Sequence, residues 1–157
     1  MHEESLDPRV VTLWRLQSLL RLALFWLPAS AAVGVFLGRA TDVWVGAALA
    51  VALLGANALL AVIWPALEFS RFAFVVREHD LVVRQGVLFR QWSSIPHRRI
   101  QHVDTRQGPF ERALGIARLQ VFTAAGISAD GSIPGLDESR ANALRDELSR
   151  RGGDPGV

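Results

Sequence analysis

The sequence predicts a membrane-inserted α-helical hairpin followed by a small all-β barrel or sandwich capped by one C-terminal α-helix. Three observations predict it. Two uncharged apolar stretches, Leu22–Leu37 and Val43–Leu67, lie back to back near the start of the chain, separated by five residues. At Glu68 the apolar pattern changes from continuous to alternating, the period of a strand. Near the end, Asp137 precedes a segment whose apolar residues Ala141, Leu144 and Leu148 recur at helical spacing.

The second apolar stretch is 25 residues long. At about 1.5 Å per residue it can cross a hydrocarbon core of roughly 30 Å. The first has 16 residues and needs its ends to reach into the interface. Trp44 and Trp64 lie 20 residues apart, the spacing of two aromatic belts. Pro65 cannot extend the backbone ladder, so the second helix is expected to end there. Thr41 and Asp42 are N-cap candidates, and Gly38–Asp42 leaves room only for a tight turn between antiparallel neighbours. Pro28 is expected to kink the first helix.

Small residues suit close helix packing. Gly34 and Gly38 form a G-x-x-x-G pair, and Ala48, Ala52 and Ala56 form a stripe. Packing within the hairpin is the expected use, with oligomerisation as the alternative; Asn57 should face the first helix or another subunit. Upstream, Leu13, Trp14, Leu16, Leu19 and Leu20 read as an interfacial turn with snorkelling arginines. Arg9, Arg15 and Arg21 precede the first span, Arg71, Arg77 and Arg84 follow the second, and only Arg39 sits between. That asymmetry places both termini in the cytoplasm. Ala29-Ser30-Ala31 has the form of a signal-cleavage site, but the apolar run continues to Leu37, so a retained span is expected.

The chain has 157 residues, 50% of them apolar, and a net charge of +2. The apolar load is concentrated before Glu68, leaving about 85 residues for one small domain. No cysteine is present, which excludes disulfides, thiolate metal sites and cysteine nucleophiles. All 17 basic residues are arginine. The small net charge speaks against nucleic-acid binding.

Within that domain, Phe72–Val76, Leu81–Val83, Trp92–Ile95, Ile100–Thr105 and Leu119–Thr123 read as strands. Glu78-His79-Asp80 is a predicted turn. Gln85-Gly86 interrupts the second strand before Val87-Leu88-Phe89, as a bulge or a second hairpin. Pro96 marks an edge or bend. Phe110–Leu114 fits a single helical turn closed by Gly115. Ala129–Ser132 is a predicted turn returning through Ile133, and Gly152-Gly153 stops the last helix.

The order of words in this sequence resembles a known family. Leu81–Phe89 (LVVRQGVLF), Ile95–Pro96, Arg99–Asp104 (RIQHVD), Gln107–Arg112 (QGPFER), Leu114–Leu119 (LGIARL), Val121–Gly126 (VFTAAG) and Ile133–Leu136 (IPGL) look like the bacterial pleckstrin-homology-like (PH-like) domain, in its membrane-associated branch. Small members of that branch carry two transmembrane helices ahead of one domain. The resemblance implies seven strands in two bent sheets with a capping helix, a bacterial inner-membrane setting, and no reaction. The expected organisation is a cytoplasmic or interfacial segment (1–21), a transmembrane hairpin (22–67, helices at about 16–38 and 43–65), a PH-like cytoplasmic domain (68–151) and a flexible tail (152–157).

Groups able to do chemistry are scarce. His97, His102 and Asp104 form the compact cluster of the sequence, and His102 and Asp104 share a strand face. Their expected role is hydrogen bonding to backbone, because no third metal ligand has a recognisable spacing. Nucleophile-elbow, phosphate-loop and dinucleotide motifs are absent from the sequence. No enzyme activity, cofactor or metal is therefore expected. Arg90, Arg98, Arg99, Arg106, Arg112 and Arg118 form the densest basic segment, either solvated and ion-paired or contacting anionic headgroups at about 1 kcal/mol each. Arg99, Gln101 and Asp104 match the family motif and are expected to fix strand-to-turn geometry, as are Gly108, Gly115 and Gly135. The leading expectation is a non-enzymatic, membrane-anchored interaction module. Its expected partners are the bilayer and a protein, either another PH-like membrane protein or a second copy. Lipid-headgroup sensing is the alternative.

Overall fold

The computed structural model describes residues 4–123 and 131–152. They fall into two compact units: Trp14–Leu67, and Met1–Leu13 together with Glu68–Val157.

In the first unit the chain forms two long helical runs, each long and apolar enough to cross a bilayer: Arg9–Ala40 and Val43–Arg71. The first comprises α1 (Arg9–Arg21), a π-helical turn (Leu22–Trp26) and α2 (Leu27–Ala40). The π-turn is closed by the Leu27 N–H donating to the Leu22 carbonyl. In a regular helix the ring of Pro28 would collide with the carbonyl of Leu24, and a wider turn relieves that collision. Thr41 ends α2, its N–H and hydroxyl both donating to the Leu37 carbonyl. Asp42 caps α3 (Val43–Arg71), its Oδ1 accepting from the Trp44 N–H at 2.8 Å. Only Asp42 of the two N-cap candidates therefore serves the second helix.

Pro65 does not end that helix: it lies inside α3, which continues to Arg71. A proline forfeits one rung, here the bond to Ala61, and the turns on either side carry the helix through it.

The buried and half-buried positions of α3 follow one seam through Gly46, Ala50, Leu53, Asn57 and Ala61. Gly34 and Gly38 of α2 lie against it. A Cβ added at Gly46 would overlap the Gly34 carbonyl oxygen, and one at Gly34 would come 2.8 Å from the Ala50 Cβ. Ala48, Ala52 and Ala56 are exposed. Two residues turn about 200° around a helix, so Ala48 lies almost opposite Gly46. The close approach thus uses Gly46 and Ala50 rather than the alanine stripe. Asn57 is half-buried, and its Nδ2 donates to the Leu53 carbonyl of its own helix at 2.9 Å.

The second unit holds two three-stranded antiparallel meanders. The first contains β1 (Ala73–Val76), β2 (Asp80–Gln85) and β3 (Gln91–Pro96); the second contains β4 (Ile100–Arg106), β5 (Ile116–Thr123) and β6 (Gly131–Asp137). A 3-10 turn, His97–Arg99, joins the sheets, and α4 (Pro109–Ala113) lies between β4 and β5. The last helix, α5 (Glu138–Gly152), packs on β4, β5 and β6. This is the expected PH-like sandwich with its helix. The resemblance implied seven strands, and six lie among the described residues. Of the predicted turn Ala129–Ser132, residues 129 and 130 lie outside the described residues, while Gly131 and Ser132 already belong to β6. Most of the expected tail also lies outside them.

Strand β5 shows why the sandwich closes. Ile116, Leu119 and Val121 are fully buried, while Arg118, Gln120 and Phe122 between them are half-buried. Against that inner face α5 buries Ala141, Leu144 and Leu148 completely. Each of the two leucines contributes about 1.5–3 kcal/mol of transfer free energy. Asp137 caps α5 by accepting from the Ser139 N–H and hydroxyl at 3.0 and 2.6 Å. These bonds, with the Arg9 guanidinium second, hold its carboxyl down at about 2.

The sequence did not announce that residues 4–13 belong to this unit. Leu6, Val10 and Leu13 are buried to within 2% exposure. Glu4 bridges Phe74 through two backbone hydrogen bonds, extending the β1 edge, and its carboxylate pairs with Arg140. Opposite β5, β6 carries a bulge: Ala117 faces Leu136 and Leu119 faces Ile133, leaving Pro134-Gly135 as the extra step. Gly135 has φ +61°, where a side chain is strained, and an added Cβ would overlap Val10. The Gly135 carbonyl accepts from the Asp7 N–H at 2.8 Å. Arg9 completes the joint, pairing with Asp7 and Asp137 at 2.7 Å and donating to the Leu114 carbonyl at 3.0 Å. These carboxylates push the guanidinium pKa up, and its hydrogen bonds lower that of Asp7.

Gly135→Val should cost about 2–4 kcal/mol, from backbone strain plus the collision with Val10. Thermal unfolding of the purified chain in detergent measures it; an unchanged midpoint would refute the docking of residues 4–13. In the hairpin, Gly46→Leu should lower the detergent-unfolding midpoint while Ala52→Leu stays within about 0.5 kcal/mol of the parent. Equal effects would refute the seam.

Candidate functional site

Two basic clusters mark the second unit, at opposite ends of β1. The first forms where β1 begins. Ala73 pairs with Arg84 and Arg84 pairs with Trp92, a row across the first sheet at its hairpin end. Gly86 turns the chain there with φ +104°; an added Cβ would overlap the Phe89 carbonyl, so the tight turn requires glycine. The stretch Val87-Leu88-Phe89 is therefore the loop of the β2–β3 hairpin rather than a strand. The loop shows Leu88 at 75% and Phe89 at 89% exposure, with Trp92 at 67% just beyond. Arg71, Arg84 and Arg90 line a cavity of about 190 Å³ with Gln85, Gly86 and Trp92. Among the described residues lining it there is no carboxylate.

The second cluster lies beyond the other end of β1. His79, Arg98, Arg150 and Arg151 rim an open cavity of about 680 Å³ whose acidic member is Glu78. Arg151 helps build its wall, donating to the Arg77 and Glu78 carbonyls at 3.0 and 3.4 Å. His97 is buried in the floor, its Nε2 lying 2.9 Å from the Arg77 carbonyl and its Nδ1 without a partner.

The arginines of the basic segment thus do not gather on one surface. Arg90 joins Arg71 and Arg84, Arg98 belongs to the second cavity, and Arg99 is exposed in the same turn. Arg106 lies 3.8 Å from Asp104, and Arg112 is exposed on α4. Arg118 pairs at 3.3 Å with Glu111, whose other oxygen accepts from the Gly108 N–H at 2.6 Å. That bond fixes the start of α4. Gly115, at φ +66°, turns α4 into β5 against Arg9. Gln101 is exposed beside the β4 irregularity between Ile100 and His102.

The candidate chemical cluster separates in the same way. His102 stacks on Phe122, ring centroids 4.3 Å apart, while His97 is buried under the second cavity. Among the described residues no three His, Asp or Glu side chains gather in a geometry that holds a metal ion. Sequence reasoning found Arg90 and Arg98 but not their cavity partners, which come from α3, β2 and α5. The charges of Arg71 and Arg84 were visible only as orientation signals.

Two apolar helical runs leading into a pair of small sheets with a C-terminal helix define a membrane protein carrying a PH-like domain. The chain belongs to the bacterial PH domain family, which matches residues 21–152. It is 30% identical over 149 residues to the UPF0699 transmembrane protein YdbS of Bacillus subtilis (strain 168), covering 94% of this chain and 91% of that protein. No solved structure matches it.

Proposed function

We propose that this membrane protein is a non-enzymatic module whose anchored PH-like domain holds a protein partner at the bacterial inner membrane, with both termini cytoplasmic. The observation that carries this reading is the second cavity. At about 680 Å³ it is large enough for several side chains, and Arg98 and Arg150 on its rim outweigh Glu78, Arg151 being paired with Glu147 at 2.8 Å. Charge complementarity selects an acidic segment as the occupant. The cavity lies at the end of β1 away from Arg71; a four-residue strand spans about 13 Å.

A second reading, anionic-headgroup binding, is favoured by the convergence of Arg71, Arg84 and Arg90. It differs from a role for the whole 90–118 segment, because two of those arginines, Arg106 and Arg118, are paired with carboxylates elsewhere.

A photo-crosslinker placed at Pro96, on the cavity wall, should capture a stoichiometric adduct in native membranes, its crosslinked peptide rich in Asp and Glu. The adduct should fall at least fivefold in the Arg98→Glu, Arg150→Glu double variant. An adduct insensitive to that variant, or a chain recovered alone as a monomer, would overturn the partner reading. A second copy as the captured peptide would make the module self-associating. Orientation is checked in the naturally cysteine-free chain. A single cysteine at Asp42 should react with an impermeant maleimide in intact spheroplasts, and one at Ser149 should not. The reverse pattern would invert the topology.

A further inference from the structure

The helical hairpin holds a cavity of its own, of about 190 Å³, and all of its lining falls within the Trp14–Leu67 unit. From the first helical run come Ser18, Arg21 and Leu22; from α3 come Asn57, Ala61 and Trp64. Neighbours three and four residues apart share one face of a helix, so each set is a single stripe. Trp26, the last residue of the π-turn, also lines the cavity. A π-turn of this kind widens a helix locally and often accompanies a functional site.

Polarity within the cavity is ordered along the hairpin. Arg21 is the last charge before the uncharged run Leu22–Leu37, and Trp64 stands three residues before the other run ends at Leu67. Asn57 lies seven residues before Trp64, about 10 Å deeper along α3. The Arg21 guanidinium donates within its own helix, to the Gln17 carbonyl at 3.4 Å and the Ser18 hydroxyl at 3.2 Å. No acidic residue lines the cavity. A guanidinium at the border of the hydrocarbon is costly without a counter-charge. Asn57 spends one N–H on the Leu53 carbonyl and keeps a second to donate.

A glycerophospholipid carries its groups in the same order, with the phosphate outermost, ester carbonyls beneath it and acyl chains beyond. Guanidiniums bind phosphate oxygens through paired N–H donors, and basic pockets between membrane helices suit anionic headgroups. We propose that this cavity seats one anionic phospholipid of the surrounding membrane, its phosphate on Arg21 and Ser18 and an ester carbonyl on Asn57. Trp26 and Leu60, at 45% and 54% exposure, give an acyl chain its apolar wall. The ligand supplies the counter-charge that Arg21 lacks in the cavity and a partner for the amide set deep in an apolar helix. The site is separate from both cavities of the PH-like unit and rests on neither functional reading above.

The test uses the full-length protein in dodecyl maltoside micelles, with phosphatidylglycerol, phosphatidylcholine or inorganic phosphate added and retention read by native mass spectrometry. The tightest-bound lipid should be phosphatidylglycerol, and inorganic phosphate should not displace it at equal concentration. Arg21→Gln should weaken its retention about fivefold, the value of one basic contact. Asn57→Leu should weaken it about threefold, the value of one hydrogen bond. Arg39→Gln, at the other end of the hairpin, should leave it unchanged, as should Arg71→Gln with Arg90→Gln. Equal retention of the two lipids would overturn the proposal, and displacement by inorganic phosphate would replace the lipid with a free anion. Retention that survives Arg21→Gln but falls in the Arg71→Gln, Arg90→Gln pair would remove this site and support the headgroup reading instead. Arg21 is exposed and bonds only within its own helix, so its loss keeps the hairpin folded. A second readout uses proteoliposomes and a chain keeping Trp64 as its one tryptophan. Brominated phosphatidylglycerol should quench that residue more than brominated phosphatidylcholine does, and Arg21→Gln should abolish the difference. Equal quenching by both lipids in the parent would refute the site.

Discussion

The docking of Val10 over Gly135 is the contact on which the architecture depends. It makes the PH-like domain discontinuous in sequence, with residues 4–13 supplying buried Leu6, Val10 and Leu13 and the rest arriving after the membrane hairpin. The β6 bulge exists in a form only glycine tolerates, and that form leaves the space and the carbonyl the N-terminal segment uses. Arg9 then ties this segment to the cap of α5 and to the turn after α4. Exposed ion pairs of this kind contribute little individually, about 0–1 kcal/mol. The apolar burial beneath them supplies most of the attachment, and the charges fix its register.

Helix α1 begins at Arg9, among residues that pack with the PH-like unit, and runs on through the π-turn into the first apolar run; α3 passes through Pro65 and ends at Arg71, two residues before β1.

The arginines separate into a cluster where β1 begins, a cluster beyond where β1 ends, and two pairs, one on β4 and one joining β5 to α4. Net charge alone, at +2, hides this division. His102 and Asp104, two residues apart on β4, stack on Phe122 and lie 3.8 Å from Arg106 respectively.

The sequence by itself determined the two apolar runs, the change of period at Glu68, most strands, and the capped helix with Ala141, Leu144 and Leu148. Each is written in local spacing, where hydrophobic burial and backbone geometry act over a few residues. It also carried the family resemblance, through words such as LGIARL and IPGL. Tertiary structure alone decided that Gly46 rather than Ala48 meets Gly34, since rotational phase along a long apolar helix is set by its neighbour. It decided that Pro65 stays inside its helix, and that Leu88 and Phe89 form a loop. It decided which arginines share a cavity, because Arg71, Arg84 and Arg90 come from three different elements. Above all it decided where residues 4–13 belong: a contact between Val10 and Gly135 spans 125 positions of sequence, and no local pattern encodes it.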